Sequence, residues 1–86
     1  MPECNHRDGF PELLGPREWR QVEARYGLTD REMWVLRLLC RGLGNAGIAA
    51  KLGIAPPTVR THLRSIYAKL RQGDRVGVIL TLVHGL

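Results

Sequence analysis

The chain has 86 residues, enough for one small domain, which argues against a large multidomain enzyme. Hydrophobic residues make up 44% of it and charged residues 24%, as in a typical folded domain, and no apolar run approaches the ~18 residues of a membrane-spanning helix. Lys and Arg number 13 against 8 Asp and Glu, and the whole excess falls after residue 28, which favours a polyanionic partner such as nucleic acid or an anionic membrane surface.

The chain begins with an aperiodic stretch, residues 1–15, which predicts a flexible lead. A helix is predicted over residues 16–27, because Pro16 suits a first helical turn and Gly27 suits a C-terminal cap. The apolar side chains of this segment recur at intervals of three and four residues, which places them on one face of the helix. They are Trp19, Val22 and Tyr26.

Residues 28–86 predict four further helices and no convincing strand. Thr29 and Glu32 form a capping-box pattern that begins the first of these helices, at about 30–41. Glycines and prolines delimit the others, and their predicted ranges are about 45–52, about 57–71 and about 75–84. The fold class is therefore all-α, with a helix-turn-helix at about 45–64.

The helix predicted at about 57–71 has two chemically different faces. At ~100° per residue its large aliphatic side chains fall on one stripe, which predicts the face toward the core. Arg60, Arg64 and Arg71 fall together on another side among small residues, and no acidic residue occurs from 59 to 73. This strip is either a solvated surface or a face for a polyanion. Arginines without acidic neighbours favour a DNA major groove, where Arg can bind guanine or phosphate.

The order and spacing of residues 28–84 resemble the LuxR-type domain, also called GerE- or FixJ-type, of bacterial transcription regulators. The matching runs are L-T-x-R-E-x-x-V-L-x-L-L from Leu28, G-L-x-N-x-x-I-A from Gly42, L-G-I from Leu52, and T-V-R-x-H-x-x-x-I-x-x-K-L from Thr58, closed by Arg75. The resemblance implies a four-helix LuxR-type helix-turn-helix domain over 28–86. Residues 16–27 would then be an additional N-terminal helix.

In that family the third helix reads the major groove and the fourth pairs two copies on inverted half-sites. By position, the resemblance implies base contacts from Arg60, Thr61 and Arg64. Contacts with the DNA backbone are expected from Asn45, Thr58, Lys69 and Arg71. Asn45 is included because it begins a helix whose free amides favour a phosphate. The family uses the positions of Thr58 and Lys69 either for phosphate or for holding the scaffold.

The chain departs from the family pattern around its helix-turn-helix. Ala46 and Gly47 replace a Lys-Glu pair, and Gly44 and Ala55 replace serines that cap helices. Weak caps are therefore expected, and the second helix of the domain is expected to be short or frayed. Met33 and Trp34 stand where polar residues are usual. We expect the additional N-terminal helix to pack over Trp34 and Leu38 and to restore the lost stability.

The last predicted helix is apolar on almost every side. Three explanations fit this pattern: burial on two sides, an exposed apolar end, or pairing with a second copy. Two half-sites favour a homodimer, because a symmetric patch can pair with itself. The residues expected at the dimer contact are Val76, Ile79, Leu80 and Val83.

The predicted function is that of a sequence-specific, dimeric transcription regulator in the bacterial cytoplasm. Double-stranded DNA is its expected partner, with RNA polymerase or another LuxR-type regulator as further ones. The alternative is an interaction protein that pairs with a full-length LuxR-type regulator and modulates its DNA binding. Residues 1–27 are too short for the receiver or ligand-binding domain that such regulators usually carry, which predicts a stand-alone reader or a fragment.

No enzymatic activity, cofactor or metal is expected. The eight carboxylates are scattered along the chain, without the paired acid and base that catalysis needs. The combination of Cys4, His6, Cys40 and His84 fits no metal-ligand spacing. Two cysteines without a CxxC pair cannot build a disulfide scaffold, which favours a reducing compartment.

Overall fold

The computed structural model describes residues 14–84, which form five α-helices and, within that range, no strand. The helices are α1 (Pro16–Tyr26), α2 (Asp30–Cys40), α3 (Asn45–Leu52), α4 (Pro56–Leu70) and α5 (Arg75–His84). The predicted all-α fold is confirmed, and every helix lies at its predicted place in the chain. The expected flexible lead, residues 1–15, falls almost wholly outside the described residues.

The residues between the helices explain where the helices begin and end. Thr29 Oγ1 accepts a hydrogen bond from the Glu32 amide at 3.1 Å, and Glu32 Oε1 accepts one from the Thr29 amide at 2.9 Å. The predicted capping box is therefore present at the start of α2. Gly53 ends α3 with a φ of 68°, a left-handed conformation that glycine adopts without strain. This glycine lets the chain turn sharply into α4.

The two caps expected to be weak do lack a side-chain hydrogen bond. Gly44, the cap residue of α3, has no side chain, and Ala55, the cap residue of α4, has only a methyl group, so neither can accept a hydrogen bond from the helix that follows. α3 is nevertheless one uninterrupted helix of 8 residues. α4 begins on Pro56 and Pro57, which suit a first turn because their φ is fixed and they have no amide hydrogen to leave unpaired.

The hydrophobic core lies where α4 packs against α2 and α3, and α5 packs on α4 in turn. Its fully buried side chains come from all four of these helices and include Leu36, Ile48, Val59, Ile66 and Val78. Burying one side chain of this size contributes roughly 1.5–3 kcal/mol. Packing of this kind holds α4 in place and determines which of its sides remains in solvent.

α1 packs on α2 through aromatic and arginine side chains. Trp19 is 3% exposed, and it belongs to the same hydrophobic cluster as the core of the other helices. The Arg37 guanidinium carbon lies 5.7 Å from the centre of the Trp19 ring and 5.5 Å from that of Trp34, so one cation contacts both indoles. α1 therefore lies close to Trp34, whereas the expected packing of α1 over Trp34 and Leu38 and its contribution to stability stay predictions.

None of the helices within residues 14–84 is both long and apolar enough to cross a bilayer. The same part of the chain has no group of His, Cys, Asp and Glu side chains placed to hold a metal ion, and Cys40 forms no disulfide within it. Cys4 and His6 lie outside the described residues.

Candidate nucleic-acid interface

One side of α4 is exposed along its length and carries arginine. The opposite side is buried through Val59, Leu63, Ile66 and Leu70. Arg60 and Arg64 lie one helical turn apart on the exposed side, and the guanidinium group of neither forms a hydrogen bond or an ion pair with any residue from 14 to 84. The chain has no carboxylate from 59 to 73 that could neutralise them locally. Both guanidinium groups therefore keep their donors available for an external acceptor.

Thr61 lies beside the two arginines, and its hydroxyl hydrogen is already engaged. Thr61 Oγ1 donates to the carbonyl oxygen of Pro57, one turn earlier, at 3.2 Å. What the side chain can offer a ligand is then the lone pairs of its oxygen and its methyl group. It can accept a hydrogen bond from the amino group of a base, or contact a thymine methyl group.

The N-terminus of α4 offers few backbone donors to an anion. Pro56 and Pro57 have no amide hydrogen, and the Thr58 amide donates to the Ala55 carbonyl at 2.9 Å. Thr58 itself is exposed. Its side-chain hydroxyl is therefore the group at this end of α4 with the chemistry to bind a phosphate.

The N-terminus of α3 has the donors that α4 lacks. The amides of residues 45–47 have no backbone acceptor within the described chain. Asn45 is half-buried, and its Oδ1 lies 3.5 Å from Nη2 of Arg75, whose Nη1 donates to the Leu43 carbonyl at 2.6 Å. Unpaired amides at the positive end of a helix, together with a nearby guanidinium, favour an anion at this position.

Lys69 is directed toward α2. Its Nζ donates to Glu32 Oε1 at 2.7 Å and to the Gly27 carbonyl at 3.1 Å. Ser65, one turn earlier on α4, donates through Oγ to the other oxygen of the same carboxylate at 2.5 Å. Two side chains of α4 thus hold one carboxylate of α2, which fixes the rotation of α4 about its axis. Of the two roles expected for Lys69, these contacts support the scaffold role.

The Glu32 carboxylate is a buried charge that its neighbours stabilise. Its side chain is 6% exposed, and burial alone would raise its pKa. Hydrogen bonds from Lys69, from Ser65 and from the Thr29 amide, with the charge of Lys69, outweigh that effect and lower the pKa from 4.5 to about 2. The group is therefore ionised at neutral pH and holds α2 and α4 together.

Arg71 lies at the end of α4 rather than on its arginine-bearing side. It is the capping residue, with a φ of 58°, and its amide donates to the Ala68 carbonyl at 3.2 Å. The chain has left the helical path at this residue, so a projection that assumes a regular helix to 71 does not apply to it. Its exposed side chain extends the basic surface beyond the helix.

The exposed face of α5 is apolar. Val76 is 63% exposed, and Leu80 and Val83 are each 50% exposed. Ile79 is half-buried and packs against the core, while Val78 and Leu82 form the buried side of the helix. Of the four residues expected at a dimer contact, three therefore lie in solvent within the described chain and the fourth borders the core.

Arg75 is the residue of this surface whose role the sequence did not reveal. From the sequence, Arg75 was only the last residue that matched the family pattern. A weak signal was available, because a cation in the first turn of a helix is unfavourable to the helix dipole. The acceptors prove to be Leu43, in the turn before α3, and Asn45, which begins α3; they lie 32 and 30 residues earlier in the chain.

The α3–α4 helix-turn-helix, with arginines on the outer side of its second helix, defines a DNA-binding domain of transcription regulators. Residues 26–82 match the family model described as bacterial regulatory proteins, luxR family, and the chain belongs to this family. Its members are DNA-binding regulators and not enzymes. The matched region covers α2 to α4 and most of α5, and α1 ends where that region begins.

The curated relatives are regulators much longer than this chain. A nitrate/nitrite response regulator protein homolog of Haemophilus influenzae is 51% identical over 49 residues, which cover 57% of this chain and 24% of that protein. The HTH-type transcriptional regulator MalT of Vibrio campbellii is 43% identical over 54 residues, which cover 63% of this chain and 6% of that protein. MalT of Klebsiella pneumoniae is 41% identical over 69 residues, which cover 79% of this chain and 8% of that protein and reach into α1. No solved structure matches the chain.

Proposed function

We propose that the protein is a sequence-specific transcription regulator that inserts α4 into the major groove of DNA. The observation that carries the proposal is the exposure of Arg60 and Arg64 opposite the core, without an ion-pair partner in residues 14–84. The major groove admits one helix, and arginine can donate two hydrogen bonds to guanine or to a phosphate. The net charge of +5 and membership of the luxR family add support.

In this proposal the residues of the helix-turn-helix have separate roles. Arg60 and Arg64 bind base edges, and Thr61 accepts from a base amino group or contacts a thymine methyl group. Asn45, Thr58 and Arg71 bind the phosphate backbone around them. Lys69 orients α4 through Glu32 and makes no phosphate contact of its own.

The proposed assembly is a homodimer on inverted half-sites in the bacterial cytoplasm. The exposed apolar residues Val76, Leu80 and Val83, bordered by Ile79, supply a face that can pair with its own copy. Helix-turn-helix dimers bind half-sites spaced by about one helical turn, ~34 Å, so two copies would place two α4 helices in successive major grooves.

Selection of bound sites from a random duplex library tests the function, because it yields both the preferred sequence and the half-site spacing. Arg64→Ala and Arg17→Ala are matched variants, since both remove an exposed arginine from a helix. On the selected site we expect Arg64→Ala to lose ~1–3 kcal/mol of binding free energy and Arg17→Ala to lose almost none. No enrichment of any sequence, or equal effects of the two variants, would refute the proposal.

A second candidate function has one specific observation in its favour. The exposed apolar face of α5 can pair with α5 of a full-length LuxR-type regulator as well as with a second copy. The protein would then act as an interaction protein that removes the regulator from DNA. A gel shift with the pure protein separates the candidates: direct binding supports the first, whereas inhibition of a full-length regulator without direct binding supports the second.

A further inference from the structure

Arg75 joins the start of α5 to the start of α3. Its Nη1 donates to the Leu43 carbonyl at 2.6 Å, and its Nη2 lies 3.5 Å from Asn45 Oδ1. The turn between α2 and α3 has no side-chain cap, because Gly44 occupies the capping position. A guanidinium from another helix therefore supplies a constraint that the local sequence of this turn does not.

The chemistry of this contact determines which way the Asn45 amide points. A guanidinium has only donors, so the group that faces Arg75 must be the side-chain oxygen of Asn45. The Nδ2 group, with its two hydrogens, then faces the other way, and it has no hydrogen-bond partner within residues 14–84. It lies at the same helix end as the three unbonded backbone amides of α3.

We infer that Arg75 is a positioning residue of the DNA interface: it holds Asn45 with its Nδ2 donors turned outward toward a backbone phosphate. The inference rests on the proposed function, since it assigns a mechanism to the phosphate contact of Asn45. Without Arg75 the side-chain amide can rotate, and it then presents oxygen to the phosphate as readily as nitrogen. The predicted consequence is a loss of affinity for any duplex, because phosphate contacts do not read sequence.

A purely structural role for Arg75 makes a different prediction. If Arg75 only stabilised the packing of α5, its replacement would lower the melting temperature but would affect the affinity of the folded protein equally whether or not Asn45 was present. A double-mutant cycle separates these cases, because it isolates the part of the loss that the two residues share.

The experiment measures binding of a duplex of mixed sequence by four full-length proteins: wild type, Arg75→Gln, Asn45→Ala and the double variant. All four are compared at low salt and at a temperature where circular dichroism shows each to be folded. We expect Arg75→Gln to weaken binding about fivefold in the wild-type background and less than about twofold in the Asn45→Ala background. Arg75→Lys keeps the charge but loses the forked donor pair, and we expect it to weaken binding nearly as much.

Each outcome has one meaning. A similar loss from Arg75→Gln in both backgrounds, or full affinity in Arg75→Lys, overturns the positioning role while leaving the proposed function intact. Absence of binding by the wild-type protein overturns the proposed function, and the positioning role with it. If Arg75→Gln does not fold, Arg75→Lys and its combination with Asn45→Ala provide the same cycle.

Discussion

Lys69 Nζ and Glu32 Oε1 lie 2.7 Å apart, and this ion pair joins α4 to the first turn of α2. The same carboxylate accepts hydrogen bonds from Ser65 of α4 and from the Thr29 amide that begins α2. One side chain therefore closes a helix cap and fixes the rotation of the helix proposed to enter DNA. The direction in which the arginines of α4 face therefore depends on Glu32, a buried residue of α2.

The stability of the domain should fall in acid through Glu32. Its pKa is lowered from 4.5 to about 2 in the folded protein, so its contribution is fully present above about pH 4.5 and is lost as the pH falls toward 2. A shift of this size corresponds to roughly 3 kcal/mol of unfolding free energy. Urea unfolding between pH 7 and pH 3 measures the decline.

Glu32→Gln provides the control for this pH dependence. The glutamine can still accept from the Thr29 amide but does not titrate, so the difference in unfolding free energy between wild type and variant should shrink as the pH falls through the window from 4.5 to 2. Other carboxylates affect both proteins alike. A difference that stays constant from pH 7 to pH 3 would show that Glu32 is not the group responsible.

Lys69→Met should destabilise the fold without removing a phosphate contact. The methionine leaves the Glu32 carboxylate without its cation, and we expect the unfolding free energy to fall by about 1–3 kcal/mol. The dependence of DNA affinity on salt should stay as in wild type. A salt slope smaller by about one unit would instead assign a phosphate contact to Lys69. The double variant with Glu32→Gln should lose less than the sum of the two single losses.

The sequence was sufficient for the features that local patterns encode. The helices follow from their periodic apolar residues, from the Thr29–Glu32 box and from the glycine and proline boundaries. The arginine side of α4 follows from helical geometry, since Arg60 and Arg64 are four residues apart and away from the aliphatic stripe. Weak caps at Gly44 and Ala55 follow from the absence of a side-chain acceptor at both positions.

What the sequence could not supply are contacts between distant parts of the chain. Lys69 and Glu32 are 37 residues apart, and Arg75 and Leu43 are 32 apart. No periodicity or local motif specifies such pairs, because they depend on how helices pack. For the same reason Arg71 was placed with the arginines of α4 by assuming a regular helix, whereas the helix ends before it.

Trp19 should anchor α1 to the rest of the domain. Trp19→Ala removes a side chain that is 3% exposed, and we expect a loss of about 3–5 kcal/mol in unfolding free energy or an unfolded variant. Trp19→Phe should cost much less, because it also removes the indole Nε1–H, a buried donor without a partner among the described residues. Thermal melts of both variants measure these effects, and an alanine variant as stable as wild type would show α1 to be peripheral.

Leu80→Glu should abolish self-association while leaving the domain folded. Leu80 is 50% exposed at the centre of the apolar face of α5, so a carboxylate there is tolerated in the monomer but would be buried between two copies. Gln21→Glu is the control, because it adds a similar negative charge at an exposed position of α1.

Sedimentation velocity should show a dimer for wild type and control and a monomer for Leu80→Glu. The monomeric variant should bind a single half-site with the affinity of wild type. Its affinity for a pair of half-sites should be lower than that of wild type, because the gain in affinity comes from linking two contacts. Unchanged association of Leu80→Glu would place the dimer contact elsewhere.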